Sequence, residues 1–103
     1  MLKVISLLKR KDDMSLAEFR KWAVEEHPEL GKKLPGLRHY RMNVVLEDSP
    51  ELPYHAVSEF WFDDNAARVA AFGTPAGQAA AEDAAAHCSS RVHLLTEEKI
   101  IIA

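Results

Sequence analysis

Residues 15–30 read SLAEFRKWAVEEHPEL, and their spacing decides what surrounds them. At about 100° per residue, Leu16, Phe19, Ala23 and Leu30 fall within one arc of a helix, and position 27 falls in the same arc. The start is well marked. Ser15 is an N-cap residue, Glu18 stands three positions later to complete a capping box, and Met14 with Phe19 is spaced as a hydrophobic staple. Gly31 supplies a C-terminal signal. His27 therefore points inward from an apolar face, and Pro28 follows it. Proline disfavours helical geometry at the preceding residue and removes a backbone donor, so the helix is expected to loosen at His27.

Outward from this helix the chain alternates between strand and helix patterns. LKVISLLK at residues 2–9 reads as a strand buried on both faces. Leu34-Pro35-Gly36 is turn chemistry, and the following LRHYRMNVVL alternates. Tyr40, Met42, Val44 and Leu46 share the more apolar face, opposite His39, Arg41, Asn43 and Val45. After the polar loop EDSPELP comes a third strand, YHAVSEFWFD, with Ser58, Phe60 and Phe62 on one face and Val57, Glu59 and Trp61 on the other. Asp63-Asp64-Asn65 offers caps for a helix to about Phe72. Thr74 as N-cap and Pro75 at the first helical position then start the alanine-rich AGQAAAEDAAAH. RVHLLTEEKIII is read as a last strand and an apolar tail.

The order β-α-β-β-α-β predicts an α+β fold, a ferredoxin-like sandwich with two helices over one face of a four-stranded antiparallel sheet. The other sheet face carries bulky apolar groups that a soluble monomer rarely exposes. Two copies facing each other across their sheets, closing a barrel, would cover them, so a homodimer is expected, with Ile100-Ile101-Ile102 packing on the partner.

Composition narrows the function classes. The 103 residues, 48% hydrophobic, suit one domain spanning 1–103. A net charge of −3 argues against nucleic acid as the main partner. No apolar run is long enough for a membrane span, and the start reads as a strand rather than a signal peptide. The single Cys88 fits a cytoplasmic protein and a packing role. The five histidines include no HxH or HxxxH pair; His39 and His55 on neighbouring strands are the one weak metal pairing, and Gly73-Thr74-Pro75 is no phosphate loop. Glu59 is expected to face the dimer side and pair with Arg41 or Arg91.

Five segments in order, LLKRKDDMSLAEFRKW with EEHPEL, LPGLRHYRMNVV, SEFWFDD, TPAGQAA and RVHLLTEE, resemble the EthD family of the dimeric α/β-barrel superfamily. The family is similar to cofactor-independent methylmuconolactone isomerases, and fungal relatives act in polyketide decarboxylation or dehydration. In the isomerases a histidine of the first helix and a tyrosine of the second strand line a pocket. The matching positions here are His27 in EEHPEL and Tyr40 in GLRHY, which the resemblance implies as catalytic. The alanine-rich second helix departs from the bulkier family pattern and leaves the pocket size open.

An imidazole that gives and takes a proton near neutral pH, beside a phenol that can hold an enolate, suits proton transfer next to a carbonyl. The residues alone favour a histidine satisfied by a backbone carbonyl and a tyrosine anchoring the core; the resemblance shifts the balance to a ligand pocket. Phe19, Met42, Ser58, Phe60 and His87 are the expected substrate contacts, although His87 also suits a surface position at a helix C-terminus. The expectation is thus a cofactor-free lyase or isomerase acting on a small hydrophobic oxygenated molecule, with no metal. A non-catalytic ligand-binding or accessory protein and a haem- or metal-binding barrel are the alternatives.

Overall fold

Ser15 begins the first helix with a complete capping box: its hydroxyl accepts from the Glu18 N–H at 3.1 Å, and the Glu18 carboxylate accepts from the Ser15 N–H at 3.0 Å. The computed structural model describes all residues, Met1–Ala103. Its elements are β1 (Leu2–Arg10), α1 (Leu16–Lys21), a π-helical turn (Trp22–Glu26), α2 (Pro28–Gly31), β2 (His39–Val44), β3 (Ala56–Phe62), α3 (Asn65–Phe72), α4 (Pro75–His87) and β4 (Cys88–Thr96). The strands form one antiparallel sheet in the order β2-β3-β1-β4. This is the α+β, ferredoxin-like arrangement that the element order predicts.

The loosening expected before Pro28 is real and has a defined form. The His27 N–H reaches back five residues to the Trp22 carbonyl at 2.8 Å, one residue further than in an α-helix. The wider turn relieves the clash between a proline ring and the preceding helical turn, and Pro28 then opens α2 at its first position, where no N–H is needed. Gly31 ends α2 for a different reason from the one its position suggests. Its φ is not positive, but a Cβ there would stand 2.8 Å from Cε2 of Tyr40, so only glycine admits the tyrosine ring.

Strand register sorts every side chain to a face. Leu95, Val4, Phe60 and Tyr40 form one row toward the helices; His93, Ser6, Ser58 and Met42 form the next; Arg91, Leu8, Ala56 and Val44 form the third. The helices cover these rows with two apolar clusters. One joins Leu8, Ala56 and Cys88 to Phe19, Trp22, Ala23 and Ala84. The other joins Val4, Phe60 and Phe62 to Leu34 and Ala71. Burial pushes the Cys88 thiol up to about 11, as befits a packed, unreactive cysteine.

The opposite sheet face lacks a covering layer. Leu94, Ile5, Val92, Leu7 and Val57 make its apolar half. Its polar half centres on Glu59, which pairs with Lys3 at 2.7 Å and accepts from Asn43 at 3.0 Å. Lys3 and Arg41 both lie over the Trp61 ring, at 4.7 and 5.1 Å from its centroid. The expected pairing of Glu59 with Arg91 is corrected, because Arg91 belongs to the helix-facing side of β4. Leu46 also departs from expectation: β2 ends at Val44, its alternation stops, and Leu46 is 92% exposed. β4 starts earlier than its sequence pattern suggests, at Cys88, and Ile100–Ile102 are exposed.

His39 and His55 are not neighbours. His39 stands edge-on to Trp61, whereas His55 is buried just before β3, edge-on to Phe19. Its Nδ1 accepts from the Arg10 N–H at 3.2 Å, which leaves the proton on Nε2, 3.3 Å from Asp48. Burial, first, and the Arg10 charge, second, hold the ring below the ordinary histidine range. The unfolded chain therefore takes up a proton before the native one does. Stability is expected to be level above pH ~7 and to fall as pH drops through about 6.5. Urea unfolding between pH 8 and 5.5 measures this, and His55→Gln should remove part of the slope.

Candidate functional site

Between the two apolar clusters the helix-facing side of the sheet carries small polar residues, Ser6 on β1 and Ser58 on β3, paired directly across the strands. Opposite them α4 presents Ala80, Ala81 and Ala84. Short side chains on both layers cannot close the gap, and a cavity of about 220 Å³ remains. That is below the roughly 300–1,000 Å³ of drug-sized ligand sites and suits a small ring compound. Val4 and Phe60 stand in one strand row of its lining and Leu8 in another; Arg91, His93 and Leu95 of β4 and Arg68 and Phe72 of α3 also line it. His27 enters the wall from the first helical segment.

His27 is 5% exposed and is held by an acid that the sequence reading had not singled out. Its Nδ1 lies 2.8 Å from Oδ2 of Asp83 on α4, and the Trp22 indole N–H donates to the same oxygen at 3.0 Å. A carboxylate oxygen accepts only, so Nδ1 carries the proton and Nε2 keeps its lone pair. Nε2 has no protein partner and is not among the sealed polar atoms, which leaves it available to whatever occupies the cavity. The Trp22 ring lies between two imidazoles. His27 is 4.7 Å from it and tilted by 36°, and His87 is 4.7 Å from it and stacked at 15°. The π-helical turn that starts at Trp22 thus sets both Asp83 donors at once. The signal for Asp83 was present in the chain: Ala80, Asp83, Ala84 and His87 share the i, i+3, i+4, i+7 spacing of one helix face, and Ala80 and Ala84 are buried.

A second polar pair lines the floor. Ser6 Oγ lies 2.7 Å from Nδ1 of His93, its cross-strand neighbour. Burial, first, and the charges of Arg91 and Arg68 lower the affinity of His93 for a proton.

The other expected contacts are distributed as follows. Ser58 and Phe60 line the cavity with His27. Phe19 is fully buried in the cluster around Leu8 and Trp22, 5.3 Å from the Trp22 ring, and does not reach the cavity. Tyr40 lies behind Phe60, stacked on it at 4.6 Å, and with Met42 borders a separate shallow depression beside Val24, Pro28 and Lys32. The Tyr40 hydroxyl is buried without a hydrogen-bond partner, and burial pushes its pKa up to about 12. His87 sits outside the cavity wall, with Nδ1 2.7 Å from the Asp83 carbonyl oxygen. The structure thus brings His27, Ser58 and Phe60 together and leaves Phe19, Tyr40, Met42 and His87 apart from them.

The EthD domain profile matches residues 11–88. An EthD family protein of Bacillus halodurans is 26% identical, with a TM-score of 0.80 over 96% of this chain and 99% of that one. A dimeric ferredoxin-like protein of unknown function from Thermobifida fusca is 18% identical, with a TM-score of 0.74 over 92% and 88%. A hydroxynitrile lyase from Passiflora edulis is 14% identical, with a TM-score of 0.76 over 99% and 96%. No curated protein matches this chain in sequence. The profile match runs from the end of β1 through both helical layers to the first residue of β4, so it takes in His27 and Asp83, and the chain belongs to the EthD family.

Proposed function

We propose that this protein is a cofactor-independent lyase or isomerase that moves a proton on a small, hydrophobic, oxygenated molecule. The observation that carries the reading is the His27–Asp83 pair at the wall of an otherwise apolar cavity. The Nε2 lone pair of His27 takes a proton from a carbon next to a carbonyl. Asp83, bonded to Nδ1, stabilises the imidazolium that forms and fixes the ring in orientation, as carboxylates do for catalytic and metal-bound histidines. The carbonyl oxygen gains charge in that step and needs a donor. In this reading Ser58 and Ser6 on the cavity floor supply it. The proton then returns to a different atom in an isomerisation, or passes to the leaving group as the carbanion expels it from the neighbouring carbon in an elimination. A hydroxynitrile lyase from Passiflora edulis shares this fold, which supports the lyase reading.

Tyr40 enters this reading as a support rather than a reacting group. Its ring backs Phe60, which forms the wall, and its hydroxyl has no partner. The assembly we propose is a homodimer closed across the uncovered sheet face, as the dimeric ferredoxin-like relative suggests. The cavity lies on the other face, so each copy keeps its own site.

Two outcomes are expected. In D2O, NMR of lactones and aryl ketones should show the wild-type protein catalysing deuterium uptake beside the carbonyl. His27→Gln should reduce it at least about 100-fold and Asp83→Asn about 10- to 100-fold, while Tyr40→Phe retains most of it. Binding of the same compounds without His27-dependent exchange would instead establish a carrier. Separately, Ala80→Leu projects a side chain into the cavity. It should raise unfolding free energy by about 0.5–2 kcal/mol and abolish exchange, as measured by urea denaturation alongside the same assay.

A further inference from the structure

The chain has 16 acidic and 13 basic residues, yet no Asp or Glu lines the cavity. Its ionisable lining consists of His27, His93, Arg68 and Arg91. Of the other arginines, Arg10 pairs with Asp48 and Arg38 with Asp63, both at 2.8 Å, whereas Arg20 bonds the Val45 carbonyl oxygen and Arg41 lies over the Trp61 ring. Arg68 and Arg91 have no carboxylate partner. Each is instead anchored by one neutral contact, Arg68 Nε to Oδ1 of Asn65 at 2.8 Å and Arg91 Nη1 to the Ala81 carbonyl oxygen at 3.2 Å. Each contact uses one donor and leaves most of the N–H donors of both groups unused. Both charges act on the same ring, His93, which lines the cavity with them. The remaining wall, including Val4, Leu8, Phe60 and Phe72, is apolar.

We propose that the cavity takes a small carboxylic acid, its carboxylate held by Arg68 and Arg91 at the β4 side and its apolar body lying between the two core clusters toward His27. The proposal rests on the cavity being the substrate site and names the class of that substrate. Two guanidinium forks match the planar carboxylate, and the apolar remainder of the wall suits the body of the acid. A dianionic phosphate would bring a second charge and no apolar body to meet Phe60 and Phe72. With its acid end fixed by the arginines, such a substrate would present a carbon and carbonyl further along its body to Nε2 of His27. Anchoring at a point remote from the reacting carbon is how binding energy is used to position that carbon.

The test uses matched probes on the full chain and does not depend on turnover. Phenylacetate and benzoate, with phenylacetamide and benzyl alcohol as neutral counterparts, are titrated while amide chemical shifts are followed by NMR. The acids should bind at least tenfold more tightly than the neutral compounds and shift residues around Ser6, Ser58 and His93. The preference should shrink with added salt. Arg68→Gln with Arg91→Gln should erase the preference while leaving the weak binding of the neutral compounds in place. Arg91→Lys, which keeps the charge, should retain part of it. His27→Gln should retain all of it, which separates loss of the acid site from loss of the chemistry. Equal binding of acid and amide, no binding of the acids at tens of millimolar, or an acid preference that survives in the double variant would overturn the proposal. Displacement by inorganic phosphate as effective as by benzoate would overturn the carboxylate assignment.

Discussion

One carboxylate oxygen, Oδ2 of Asp83, accepts hydrogen bonds from the Trp22 indole and the His27 imidazole, and the site depends on that junction. It ties the first helical segment to α4 above the sheet. Two directed donors on a single acceptor fix both the distance between the helices and the rotation of each ring. Without the acid, Trp22 would leave a buried N–H unpaired, at a cost of about 1–3 kcal/mol, and the His27 tautomer would be undetermined. The junction needs Trp22 and His27 five residues apart on one side of the helix. An α-helix turns 500° over that interval and would separate them by about 140°. The π-helical turn adds a residue to the circuit and brings them together, so the 4.7 Å contact between their rings is a consequence of the backbone. Pro28 is the local cause, because its ring and missing N–H make a regular helix costly at that point.

The second constraint is side-chain size. A layer of strands and a layer of helices close on each other only where their side chains fill the space between them. On β1 the helix-facing sequence is Val4, Ser6, Leu8, and on β3 it is Ala56, Ser58, Phe60. Large residues at the ends and serines in the middle leave two cores and a gap. The alanines of α4 extend the gap upward instead of filling it. A buried leucine in place of one of them would contribute more to stability than alanine does, so the empty space is maintained against the hydrophobic effect. Unfilled volume lined by polar hydroxyls and guanidinium groups is the form a binding site takes.

How much of this was legible in the chain follows from how local each cause is. The capping box at Ser15, the caps at Asp64 and Thr74, and the alternation of β3 and of β2 as far as Val44 are set by residues a few positions apart, and their reading agrees with the structure. By contrast β1, read as buried on both faces, is buried only on its helix-facing side. The inward placement of His27 and the irregularity before Pro28 were equally local. Asp83 was missed because its role lies in a contact 56 residues away, although its place on the Ala80–Ala84 face was visible. Tyr40 was read correctly as facing the helices. Which cluster it joins depends on strand order: β2 is the edge strand farthest from β4, and the cavity is lined by Arg91, His93 and Leu95 of β4 and by no residue of β2. Arg91 was expected to pair with Glu59 and Arg68 was not singled out, since the absence of an acidic partner is a property of the folded molecule alone.

β1 links the two sides of the protein. Its even positions, Val4, Ser6 and Leu8, line the cavity, and its odd positions, Lys3, Ile5 and Leu7, lie on the uncovered face beside Glu59 and Val57. A strand paired on both edges cannot shift by one residue without exchanging these two sets, which would place serine toward the partner side and lysine in the core. Register on β1 is therefore held from both faces at once. Covering the open face would not reshape the site directly, because no cavity residue points that way. It would restrain the central strand on which Ser6 stands, and Ser6 in turn bonds His93 on the edge strand at 2.7 Å. The proposed assembly face and the cavity thus lie on opposite sides of one sheet and share its most constrained strand.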